Sequence, residues 1–257
     1  TRRVMDNVYC FDERGTVPAQ SIAQSKGALH VTIYADQCRS EAYVPKIGDI
    51  IAVGEQTFEF DISSQESTSQ SMKAFRWILE NQEKYNIRIV NISMGMIPHG
   101  NKQGERYILA ATELLWNMGM IVVAAAGNLG PKPGNVTVPG ISRKIITVGS
   151  YDTIQSGWEI GNDAIIKPDL VAPGNQVLSC NSLWKQDKRF YIAKSGTSMS
   201  TPIVTGAIAC LLSKEPNLTN LEVKRRLIQS CTALPKKEIR WGNGLLNVHR
   251  LMRTSRK

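Results

Sequence analysis

Ser198 stands in the run Gly196-Thr197-Ser198-Met199-Ser200-Thr201-Pro202, directly before a long stretch of apolar and small residues. A serine hydroxyl is a weak nucleophile at neutral pH. It needs a base, and the base needs an orienting carboxylate. Position matters as well, because the amides at a helix N-terminus favour negative charge developing nearby. Pro202 is expected in the first turn of that helix, where its missing N–H costs nothing. Ser198 could equally be only a helix N-cap, so its chemistry depends on what converges on it. Asn128 ends the apolar run Val122-Val123-Ala124-Ala125-Ala126-Gly127. A strand end is where parallel α/β sheets place ligands, although an Asn after Gly also suits a plain turn.

The elements that must position these residues alternate between strand and helix from about residue 67 onward. Ser67-Thr68-Ser69 offers helix N-caps, and Met72, Phe75, Ile78 and Leu79 follow at helical spacing. The run Ile87, Ile89, Val90, Ile92 predicts a buried strand. Glu105 to Met118 predicts a helix, with Gly119 just past its end. Met120 to Ala126 is almost wholly apolar, as a buried parallel strand should be. Further strands are expected at Ile145–Val148, Leu170-Val171 and Val177-Leu178. Pro202 to Leu212 is apolar or small all round, the mark of a buried helix. Thr219-Asn220-Leu221-Glu222 is a capping box opening another helix. This alternation implies an α/β fold with a mostly parallel sheet and helices on both faces. Upstream, strands are expected at Val8–Phe11, at Leu29–Ala35 by alternation, and at Ile50–Val53.

Several of these segments resemble the subtilisin-like serine protease family. Gly196 to Pro202 is similar to the family's nucleophile segment, with Ser200 in place of an alanine. The resemblance implies that Ser198 is the nucleophile position and that Asn128 donates to the oxyanion. Asn91-Ile92-Ser93-Met94-Gly95 resembles the family's substrate strand, so Ser93, Met94 and Gly95 would pair with an extended peptide. Ala125, Ala126 and Gly127 would form another wall, and their small size implies room for a bulky apolar substrate side chain. Lys167 to Gly174 and Val138-Pro139 also match family segments. The expected fold is therefore a three-layer subtilisin-like domain over residues 1–257, with a well-matched core at 65–252 and a divergent or truncated part at 1–60.

The family's Asp and His motifs are not found. The family runs Asp, then His, then Ser, and His99 and His249 both follow the substrate strand, which sets them aside as the base. His30 lies upstream, and His30-Val31 keeps the family's final His-Val pair, though an ordinary strand histidine fits the local alternation equally. Asp12, after Val8-Tyr9-Cys10-Phe11, is the candidate carboxylate. Asp6 follows only Val4-Met5, and Asp36 would leave no histidine between itself and the substrate strand. Two functions of different class follow: a serine endopeptidase, and a pseudoprotease that binds peptide or protein partners without cleaving them.

Composition narrows the rest. The chain has 257 residues, 42% of them hydrophobic, enough for one large core. No apolar run is long enough for a membrane span. The net charge is +9, concentrated late in the sequence at Lys224-Arg225-Arg226, Lys236-Lys237 and Arg250–Lys257. No aromatic interleaving accompanies it, so a solvated face is expected and no nucleic-acid partner. The five cysteines are scattered without metal-type spacing. Cys210 and Cys231 are expected to act as small hydrophobes. No acidic cluster has calcium-loop spacing, so no metal or other cofactor is expected. The thiols suit a bacterial cytoplasm, or a secreted chain without disulfides after removal of an upstream segment.

Overall fold

The computed structural model describes residues 65–97, 102–160, 165–181, 184, 188–234 and 238–253, together with the backbone of strand segments at 8–9, 20–21, 24–25 and 28–33. In chain order the strands are β1 (Val8–Tyr9), β2 (Gln20–Ser21), β3 (Gln24–Ser25) and β4 (Ala28–Ile33). Then come α1 (Gln65–Tyr85), β5 (Ile87–Ile92), α2 (Lys102–Asn117), β6 (Ile121–Ala125) and β7 (Ile146–Ser150). After these run β8 (Glu159–Ile160), β9 (Ile166–Lys167), β10 (Leu170–Ala172), β11 (Val177–Cys180) and β12 (Tyr191–Lys194). The chain closes with α3 (Thr197–Lys214), α4 (Asn220–Ser230) and α5 (Val248–Leu251).

The central sheet has six strands in the order β10-β7-β6-β5-β4-β3. All its neighbours are parallel except β3, which forms an antiparallel hairpin with β4. Every residue of β6 and β7 is buried, because both faces of the sheet are covered. One layer is α1 and α2, which pack on each other and on β5 and β6. The other is α3, which lies across β5, β6, β7 and β10. This is a three-layer α/β fold, and the apolar runs read as buried strands are its middle layer.

Local details differ from the sequence reading where tertiary packing intervenes. The first helix begins at Gln65, ahead of Ser67-Thr68-Ser69, so these residues are not its caps. Val177-Leu178 forms a strand, but in a separate antiparallel hairpin with β12. Cys231 is buried, as expected of a small hydrophobe, whereas Cys210 is exposed. Ile50–Val53 lies outside the described residues. The capping box forms as read: Thr219 Oγ1 accepts from Glu222 N at 3.2 Å, and Glu222 Oε2 accepts from Thr219 N at 2.8 Å.

A buried ionic cluster ties the sheet's edge to α4. Lys167 is 2% exposed, and its Nζ donates to Asp169 Oδ2 at 2.7 Å, Thr147 Oγ1 at 2.9 Å and Ile145 O at 3.2 Å. Asp169 also accepts from Thr147 N at 2.7 Å and pairs with Lys224 Nζ at 3.1 Å. Burial pushes the Lys167 ammonium down to about 8, while the Asp169 carboxylate pulls it partly back.

Candidate active site

Two strand ends and one helix start meet at a single cleft. Chain leaving β5 supplies Ser93, Met94 and Gly95. Chain leaving β6 supplies Gly127 and Asn128 beyond Ala125. The first turn of α3 supplies Thr197 and Ser198. These residues, with Ile97, Leu129 and Thr137, line a cleft of about 180 Å³. Of the residues singled out in the sequence, Ser198, Asn128, Ser93, Met94, Gly95, Ala125 and Gly127 therefore come together. Ala126 lies behind the wall, fully buried.

The start of α3 is held by hydrogen bonds that fix the orientation of Asn128. Thr197 N donates to Asn128 Oδ1 at 3.0 Å, and Thr197 Oγ1 donates to the same oxygen at 3.2 Å. Gly127 N donates in turn to Thr197 Oγ1 at 3.1 Å. A backbone N–H can only donate, so the amide of Asn128 must present its oxygen to Thr197. Nδ2 is then the donor left for a ligand in the cleft. Gly196 allows the approach: its φ is 137°, and a Cβ there would lie 3.1 Å from Asn128 Nδ2.

A second network locks α3 to β5. Asn91 Nδ2 donates to Ser93 Oγ at 2.8 Å, and Thr205 Oγ1 donates to Asn91 Oδ1 at 2.7 Å. Ser93 Oγ donates to Ser198 O at 3.1 Å, while Ser198 Oγ donates to Ser93 O at 2.9 Å. Pro202 accounts for part of this. The helix begins at Thr197, so Pro202 falls in its second turn and not in the first. Proline has no N–H to give the carbonyl four residues back, which is that of Ser198. The Ser93 hydroxyl takes that carbonyl instead.

Thr137 is the cleft residue that sequence reasoning passed over. Its own N donates to Ala126 O at 2.9 Å, and the next residue, Val138, exchanges two hydrogen bonds with Met96 at 2.9 and 3.0 Å. The segment is thus stitched to both walls. A Cβ on Gly95 would lie 2.0 Å from Thr137 Oγ1, and one on Gly127 would lie 2.7 Å from it. The room expected for a bulky apolar substrate side chain is therefore occupied by Thr137. The one signal was its place beside Val138-Pro139, a segment already singled out.

His30 lies inside β4, paired in register with Ile89 of β5, three positions before the last strand residue, Ile33. Asp12, Asp6, Asp36 and His99 lie outside the described residues. His249 is exposed on α5. Among the described residues no helix is long and apolar enough to cross a membrane.

A three-layer α/β fold with a mostly parallel sheet, a serine at a helix start and an amide donor beside it define the class of site, and the comparisons narrow it. The profile of the subtilase family matches residues 46–244. The chain belongs to the subtilase family of subtilisin-like serine proteases. It is 35% identical to the serine protease AprX of Bacillus subtilis over 164 residues, covering 55% of this chain and 37% of that protein. It is 29% identical to the subtilisin of Bacillus pumilus over 237 residues, covering 90% of this chain and 80% of that one. The chain thus spans little more than a third of AprX. The solved structure of the prenylagaramide maturation protease PagA superposes with a TM-score of 0.58 at 25% identity, covering 72% of this chain and 67% of that one.

Proposed function

We propose that this chain carries the site of a serine endopeptidase, with Ser198 as nucleophile and Asn128 as oxyanion donor. The peptide lies extended between Ser93-Met94-Gly95 and Ala125-Ala126-Gly127. The observation that carries this reading is the hydrogen bond from Thr197 N to Asn128 Oδ1, which leaves the Nδ2 donor for the cleft beside Ser198. Ser198 Oγ attacks the peptide carbonyl carbon, and the tetrahedral oxyanion accepts from Asn128 Nδ2. The C–N bond then breaks, the serine proton passes through the base to the leaving amine, and water hydrolyses the acyl-enzyme. Within this reading His30 is the candidate base and Asp12 its candidate orienting carboxylate.

A second reading, peptide binding without cleavage, is favoured by the register of His30. Three strand residues span roughly 10 Å, so the His30 backbone stands well back from the strand end. The cleft opens at the ends of β5 and β6.

A fluorophosphonate probe separates the two. Rapid modification of Ser198, read by mass spectrometry and absent in Ser198→Ala, is expected of the endopeptidase. Loss of that labelling in His30→Ala assigns the base. Labelling of the native chain no faster than of Ser198→Ala sinks the endopeptidase reading and leaves the binding one.

A further inference from the structure

We propose that the β11–β12 hairpin docks on an anionic lipid surface, its apolar end entering the interface while Lys188 and Arg189 meet the headgroups. The inference goes beyond the reading of the cleft and does not depend on it.

β11 and β12 form a sheet of their own, outside the central one. Opposite residues of an antiparallel pair share a face, and the register sets Leu178 against Ala193 and Cys180 against Tyr191. All four are exposed, so this face of the hairpin is apolar throughout. The other face, Val177, Ser179, Ile192 and Lys194, is half-buried. The pairing runs on past β12, because Asn181 N donates to Phe190 O at 2.8 Å. Phe190 stacks on Trp184, with ring centroids 5.3 Å apart. Leu178 is 68% exposed, Phe190 65%, Tyr191 61% and Trp184 42%. A contiguous apolar surface of this kind marks a place that meets a partner or a membrane.

Two observations select the membrane. Phe190 and Tyr191 are neighbours in sequence, and consecutive residues of extended chain point to opposite faces. The end of the hairpin thus shows aromatic surface in both directions. A protein partner covers one face, whereas a lipid interface surrounds an inserted end. Trp and Tyr suit that interface because each joins an apolar ring to a polar tip. The second observation is charge. Lys188 and Arg189 are exposed directly before Phe190. Trp184 to Lys194 holds four basic residues and one acidic one, in a chain of net charge +9. Each basic side chain at an anionic surface strengthens attachment about fivefold. A second copy of the chain would set the same basic residues against these, which opposes a symmetric pairing through this face.

Only Ser195 and Gly196 lie between β12 and α3. Ser195 Oγ accepts from Gln176 N at 2.9 Å, and Gly196 N donates to Gly174 O at 2.7 Å. The hairpin is anchored at the start of α3, so docking holds the cleft close to the lipid surface.

The test sediments the full chain with vesicles of phosphatidylcholine alone, and of equal parts phosphatidylcholine and phosphatidylglycerol, at low salt. The native chain should bind the mixed vesicles roughly tenfold tighter than the neutral ones. Leu178→Ser with Phe190→Ser and Tyr191→Ser should weaken that binding by roughly a hundredfold. Lys188→Glu with Arg189→Glu should weaken it by more than roughly tenfold. Lys214→Glu with Arg225→Glu, at exposed positions on other helices, makes the same change in net charge and should weaken it far less. All these side chains are exposed, so thermal midpoints should stay near the native one. Brominated phosphatidylcholine in the mixed vesicles should quench tryptophan emission, and the quenching should vanish in Trp184→Phe. No vesicle binding by the native chain, equal loss in the two charge variants, or unchanged binding in the triple serine variant overturns the proposal. Quenching that survives Trp184→Phe puts another face on the membrane and overturns it too. A native dimer that the triple serine variant dissolves assigns the face to a second copy instead.

Discussion

Ser93 and Ser198 hold each other by two hydrogen bonds of opposite sense: Ser93 Oγ donates to Ser198 O at 3.1 Å, and Ser198 Oγ donates to Ser93 O at 2.9 Å. The chain leaving β5 and the start of α3 are thereby one mechanical unit. Pro202 makes the first bond necessary, because it withholds the helical donor that Ser198 O would otherwise receive.

Ser93→Ala strips the part-buried Ser198 carbonyl of its donor and also leaves Asn91 Nδ2 without the acceptor it has at 2.8 Å. A loss of about 1–3 kcal/mol in folding stability is expected from urea midpoints. Pro202→Ala restores a helical N–H for Ser198 O, so Ser93→Ala should do less harm in that background. A double-mutant cycle should show a coupling of about 1 kcal/mol. Strict additivity would show that the Ser93 hydroxyl does not stand in for the missing helical donor.

Asn128 has one observed role and one proposed role, and substitution can separate them. Its Oδ1 accepts from Thr197 N, and its Nδ2 is the proposed donor to the oxyanion. Asn128→Asp keeps an acceptor for Thr197 and loses the donor, whereas Asn128→Ala loses both. Both should slow fluorophosphonate labelling of Ser198 by roughly 10²–10³, a figure taken from subtilisin and not from this geometry. Only Asn128→Ala should also lower stability, by about 1–2 kcal/mol. Native-rate labelling of Asn128→Asp would remove Asn128 from the oxyanion role.

What could be read in advance, and what could not, follows the range of the forces involved. β5, β6 and α3 were legible because burial on all sides leaves an uninterrupted apolar signature in a few consecutive residues, as in Ile121–Ala125. Ser198 and Asn128 stood at the ends of such runs, with Gly196 and Gly127 marking the turns. Thr137 was not legible, because its role arises from chain folding back across the cleft. Its partner Ala126 and the Val138 partner Met96 are distant in sequence, and no periodicity links them. Pro202 sits a turn deeper than its chemistry predicts because the helix start is fixed by the Thr197–Asn128 hydrogen bonds, not by the proline. β12 leaves no pattern in the sequence because Tyr191–Lys194 sits on an exposed hairpin with no buried face. Upstream, His30 alternates with its neighbours as a strand residue should, and a strand is where it lies.

Gly196 is a position where backbone and chemistry coincide. Its φ of 137° is one that L side chains rarely adopt, and a Cβ would come within 3.1 Å of Asn128 Nδ2. Gly196→Ala should lower stability by about 1–3 kcal/mol, seen as a fall in the midpoint of thermal unfolding. It should also slow Ser198 labelling, by displacing the donor amide. A stable variant with native labelling would show that the start of α3 tolerates a different backbone.

Lys167 gives a pH dependence whose sign is opposite to that of an ordinary ion-paired lysine. Burial is the larger influence and holds its folded value near 8, below the ordinary 10.5, despite the bond to Asp169 Oδ2 at 2.7 Å. Between those two values the unfolded chain binds more protons than the folded one. Stability contributed by this residue therefore rises as pH climbs through the window, and the penalty for burying the ammonium is present in full below pH 8. Lys167→Met removes the titration while Lys224 still faces Asp169 at 3.1 Å. Urea unfolding of both proteins in steps from pH 7.5 to 10.5 should show the native chain gaining on Lys167→Met by about 2–3 kcal/mol across the window. A difference that stays flat, or that shrinks with rising pH, would mean that Asp169 outweighs burial and that Lys167 remains charged in the core.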